Sequence, residues 1–144
     1  MEILLRYLHF VSIFVIAGAL LAEAFMLKAT MTRHELRKIL WIDSAYGMAA
    51  LTVLAAGLTL WLGGFGKPAD FYTGNWVFHA KLSLFLILGL LSVYPTRFFL
   101  RHRNGADTDV IEIPRRLVML VRMELAFLLA IPFLATLMAR GIGY

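Results

Sequence analysis

The sequence predicts an all-α integral membrane protein: one domain over residues 1–144, a bundle of four transmembrane helices with both termini outside. Three observations carry this. Hydrophobic residues make up 61% and charged residues only 16%, against about 25% charged in soluble domains. The apolar residues fall into four blocks, each near the roughly 20 residues that a spanning helix needs. The basic residues gather in two of the three loops.

The first block is Ile3–Leu27. "MEILLRYLHF" carries an acid and a single base before its apolar run, so it lacks the basic start of a signal peptide and reads as a retained span. "TRHELRKILWID" follows, with Thr32 and Glu35 at capping-box spacing and Leu36, Ile39 and Leu40 on one face. It predicts a short interfacial helix or an inner extension of the second span. That span is Ser44–Phe65 and the third is Trp76–Tyr94; neither block contains an acid. Pro95 is expected to stop the third span. "RNGADTD" predicts a turn at its Asn-Gly pair, and Pro114 suits the start of a helix. The fourth span is Leu117–Ala139, with Pro132 expected to kink it. Trp41, Trp61, Tyr72 and Trp76 fall near predicted interfaces. Gly18 with Ala22, and Ala45 with Ala49 and Gly57, form small-residue rows suited to close helix packing or to a homo-oligomer.

The net charge of +5 follows from topology rather than from nucleic-acid binding. Lys28, Arg33, Arg37 and Lys38 lie between spans one and two, and Arg97, Arg101, Arg103, Arg115 and Arg116 between spans three and four. Lys67 is the only base in the remaining loop. The positive-inside rule therefore puts both basic loops in the cytoplasm. A cysteine replacing Asp70 is expected to react with an impermeant label in intact cells; reaction only after permeabilisation would invert the orientation. With no cysteine, thiolate metal sites and cysteine nucleophiles are excluded. "GGFGKP" is not a phosphate loop, because Pro68 stands where Ser or Thr is needed.

Polar side chains inside spans are expensive and usually functional. His9 and His79 lie at roughly 9 Å and roughly 5 Å below the outer ends of spans one and three, at 1.5 Å per residue. Two imidazoles at matched depth suggest the axial ligands of a haem. Arg6, one turn from His9, and the snorkelling Lys81 would then meet the propionates, and Trp76 would cover a ring edge. Lys81 is about 200° round the helix from His79 and is not expected on the same iron. In the inner half, Glu23 and Arg122 match in depth and opposite charge, which predicts a buried ion pair; Glu124 nearby offers a proton path instead. Met119 and Met123 are at i, i+4 spacing and read as packing rather than as a Cu(I) site.

"LRYLHFVSIFVIAGALLAEAFML" and "WVFHAKLSLFLIL" resemble two helices of the HemJ-type bacterial membrane proteins, the second with His79 and Lys81 in matching places. The CopD copper-resistance family is more distantly similar. Taken whole, the chain most resembles a domain-of-unknown-function family of predicted four-span bacterial membrane proteins, and these two helices carry the likeness. The HemJ likeness implies haem b, with His9 and His79 as ligands and Lys81 as a further site residue. It implies a redox role of the protoporphyrinogen oxidase type, either electron transfer with a redox partner or quinone, or oxidation of a small lipophilic or porphyrin-like substrate. It also implies the inner membrane of a bacterium. The alternatives are a small-molecule or metal-ion transporter lined by His9, Lys81, Glu23 and Arg122, or a structural subunit without chemistry.

Overall fold

The computed structural model describes residues 1–144. Its elements are α1 (Glu2–Met26), β1 (Thr30–Thr32), α2 (Arg33–Leu62), α3 (Ala69–Thr73), α4 (Trp76–Arg101), β2 (Val110–Glu112) and α5 (Arg115–Ala139). The four long helices are each apolar and long enough to cross a membrane. Only 26 of the 144 residues are buried, while Phe14, Leu90 and Leu129 are about three-quarters exposed on the outside of the bundle. Such an apolar exterior suits lipid, where every backbone group is satisfied within its own helix.

α1 packs along α2 and α4 along α5, and the two hairpins join through α1–α5 and α2–α4. Both termini lie at one end, which we term outer, beside the α3 loop. The Trp76 N–H donates to the Gly143 carbonyl there (3.0 Å). The buried Asn75 caps α4 by accepting from the Val77 N–H at 2.9 Å.

The segment after Met31 is the inner extension of α2. Thr32 is its N-cap and accepts from the Glu35 N–H at 3.3 Å. At the inner end the two basic loops are stitched together, which the sequence did not predict. β1 and β2 form an antiparallel pair with Met31 opposite Ile111. Arg33 pairs with Asp109 and donates to the His102 carbonyl (2.9 Å). Arg37 pairs with Asp107 and donates to the Arg103 and Gly105 carbonyls (both 2.8 Å). Two of the expected surface cations are thus consumed as loop clamps. Gly105, at φ +135°, sits against the Arg33 guanidinium, where a Cβ would collide with it.

Pro95 does not stop the third span. It is buried inside α4, which runs on to Arg101. A bundle in lipid tolerates this, since neighbouring helices compensate for the one lost backbone bond. Pro132 lies within α5, which is continuous through it. The small-residue rows hold in part. Ala49 lies in the α1–α2 seam with Ile16, Ala19, Leu20, Tyr46 and Val53, and Gly57 meets the His9 ring, whereas Gly18 and Ala45 are exposed.

Candidate functional site

The interior holds two apolar clusters stacked along the bundle axis. The inner one contains Leu27, Leu36, Ile39, Phe99, Leu117 and Val121. The outer one contains Leu20, Tyr46, Val53, Leu88 and Leu128. On every helix a polar residue falls between the two: Glu23 between Leu20 and Leu27, Asp43 between Ile39 and Tyr46, Ser92 and Thr96 between Leu88 and Phe99, and Glu124 between Val121 and Leu128. Helical phase explains the α5 member. Leu117, Val121, Glu124 and Leu128 recur at three- and four-residue spacing and so share the buried face.

Glu23 and Glu124 are 1% exposed and Asp43 is 3%, so these three carboxyls are closed to solvent, while Ser92 and Thr96 are half-buried. Asp43 accepts from the Thr96 hydroxyl at 2.7 Å. The Glu23 and Asp43 carboxyls are neighbours in this layer, and Glu124 lies near both. The Tyr46 hydroxyl faces Glu124 and Ser92. Neither Glu23 Oε1 nor the Tyr46 hydroxyl makes a well-formed hydrogen bond. Two ionised carboxylates are both acceptors, so the Glu23–Asp43 contact is attractive only with a proton between them. No three acidic or histidine side chains converge as metal ligands do.

The expected Glu23–Arg122 ion pair is absent. Arg122 is exposed on α5. It is two residues before Glu124, about 200° round the helix, so the two cannot both face the interior. Glu23 meets acids instead. Met119 and Met123 are exposed and form no part of the layer.

The outer half separates the two histidines. His9 is half-buried, and its Nδ1–H donates to the Val53 carbonyl at 3.2 Å. Its ring lies against Gly57 of α2, where a Cβ would stand 3.4 Å from Cε1. His79 is exposed, and its Nε2–H donates to the Thr73 carbonyl at 2.8 Å. Lys81, on the other face of α4, is the half-buried one, and its ammonium donates to Met138 Sδ of α5 at 3.8 Å. Arg6 is exposed and paired with Glu2 at 2.6 Å. Trp76 is 59% exposed. His9, with Nε2 uncommitted, would suit one axial bond of a haem. His79 points away with its Nε2 engaged, and Arg6 is already neutralised. As arranged, these residues do not fit haem b held between two histidines.

Asp43, Tyr46, Ser92 and Thr96 were not expected at the site. Asp43 escaped because the apolar block begins at Ser44, one residue later, whereas the helix begins at Arg33. The signal was present in the phase: Leu36, Ile39, Asp43, Tyr46 and Ala49 run down one face of α2.

Fold and site define a multi-pass membrane protein, a four-helix bundle with a buried carboxyl layer. The chain belongs to the family described as predicted membrane protein (DUF2214), whose model matches residues 1–143. No curated protein and no solved structure matches it.

Proposed function

We propose that this chain moves protons through the bilayer, with the buried carboxyl layer as the relay. One observation carries the reading: Glu23, Asp43 and Glu124 reach one closed layer from three helices, with no lysine or arginine among them. Each bare anion there would cost several kcal/mol. A proton is the smallest counter-charge and needs no coordination shell. Intramembrane acid chains of this kind are the usual material of proton relays. Tyr46 and Thr96 add hydroxyls that can both donate and accept. The two apolar clusters are the barriers above and below the relay. With the basic loops in the cytoplasm, the layer lies nearer the cytoplasmic face of a bacterial inner membrane.

The purified protein in vesicles, with a pH-sensitive dye inside and a potassium diffusion potential imposed, is expected to change internal pH faster than empty vesicles. Equal rates at every potential would sink the reading. Absorbance distinguishes it from haem-based redox chemistry. A Soret band with a sharp reduced α-band would return the function to electron transfer.

A further inference from the structure

A groove of about 390 Å³ opens between the inner parts of α2 and α4. Its lining is sorted by depth. Arg37, Arg103 and Asn104 form the end nearest the inner loops, and Leu40, Trp41, Ser44 and Leu100 form the part that runs along the helices. On α2, Ser44 stands roughly 10 Å further along the bundle axis than Arg37, at 1.5 Å per residue. The polar end is therefore at the level of the loops and the apolar part at the level of the spans.

The donors are sorted too. Arg37 is spent: it pairs with Asp107 and donates to the Arg103 and Gly105 carbonyls at 2.8 Å. That clamp holds the backbone on both sides of Asn104. The Arg103 guanidinium enters none of the ion pairs, which engage Arg6, Lys28, Arg33 and Arg37. Asp107, the acid at this end, is already taken by Arg37. The Ser44 hydroxyl donates to the Leu40 carbonyl at 2.8 Å and offers no proton to a ligand deeper in the groove. Trp41 is 79% exposed and Leu100 is exposed beside it, so the apolar walls open to the bilayer. Tryptophan favours the depth where acyl chains meet headgroups.

We propose that this groove binds one anionic phospholipid. Arg103 gives its phosphodiester a charge-assisted donor and Asn104 an amide N–H. Leu40, Trp41 and Leu100 take the first methylenes of the acyl chains. Free cation above, apolar walls below, is the polarity of a single lipid, and basic pockets between spanning helices suit anionic headgroups. The site is separate from the carboxyl layer and stands whether or not that layer carries protons.

The test uses the full chain in neutral detergent. Dioctanoyl phosphatidylglycerol is the probe, dioctanoyl phosphatidylcholine the zwitterionic control and glycerol phosphate the headgroup alone. Phosphatidylglycerol is expected to raise the Tm at much lower concentration than either control. Arg103→Gln should weaken its binding about tenfold or more, the ordinary worth of a hydrogen bond to a charged group, and Arg103→Lys should keep the preference. Arg97→Gln removes the same charge from α4 but lies outside the groove, and should bind as the native chain does. Trp41→Ala leaves every donor in place and should weaken binding severalfold through the lost apolar wall. The proposal is overturned if the native chain responds alike to both lipids, or if Arg97→Gln loses as much as Arg103→Gln, which would mean diffuse surface charge. Equal stabilisation by glycerol phosphate would make the ligand a free phosphate and overturn it as well. Should Arg103→Gln not fold, Trp41→Ala decides, and an unchanged response to phosphatidylglycerol there sinks the proposal.

Discussion

Replacing Phe99 with alanine is expected to destabilise the protein by about 3–5 kcal/mol, the ordinary cost of emptying a phenylalanine site in a core. Phe99 is fully buried and is the largest of the completely enclosed side chains. It packs with Leu36, Ile39, Leu117 and Val121, so all of the inner cluster loses contacts when the ring goes. That cluster also closes the inner side of the polar layer. The cavity should therefore let water approach Asp43 and Thr96 from the inner end. Proton entry into vesicles should rise in Phe99→Ala while its Tm falls. Phe99→Leu refills most of the volume and should recover most of the Tm. A variant as stable as the native chain would show that the inner cluster does not close the bundle.

Glu124→Gln is expected to slow proton movement by about a hundredfold, the lower range of what a positioned proton-transfer group contributes. Glutamine matches the shape of a protonated glutamic acid and keeps a donor and an acceptor, but it cannot release and regain a proton. Tyr46 lies beside position 124, and the glutamine amide there offers its hydroxyl both a donor and an acceptor. The Tm is therefore expected to change by less than about 1 kcal/mol equivalent, as for other well-tolerated substitutions. Loss of folding together with loss of flux would make Glu124 a packing residue. Unchanged flux in a folded variant would remove it from the relay.

These two residues also mark how much of the site was legible. Phe99 lies beyond Pro95, past the end of the apolar block, and Glu124 stands beside Arg122 at nearly the same depth. Boundary and depth are coordinates along the chain, whereas the inward-facing set is fixed by the angle round each helix. Phase alone separates Arg122 from Glu124 and His79 from Lys81, since two residues differ by about 200°. It does not say which member of each pair turns inward. On α5 the apolar partners Leu117, Val121 and Leu128 point to Glu124. On α4 Val77 and Leu88 point to Lys81.

The sequence by itself determined the class of molecule: four spanning helices, their order and the Thr32 cap of the helical segment before the second apolar block. Those are local properties. In lipid each helix must satisfy its own backbone, so a run of about 20 apolar residues is sufficient notice of a span. Only the tertiary structure decided which polar groups meet. It placed Glu23 beside Asp43 rather than Arg122, turned Lys81 towards Met138, left His79 at the exterior and bound the two basic loops through β1 and β2. Depth in the membrane is one coordinate and can be counted along a helix. Contact also needs the azimuth of each helix and the identity of its neighbours, and those are set by packing between segments far apart in the chain.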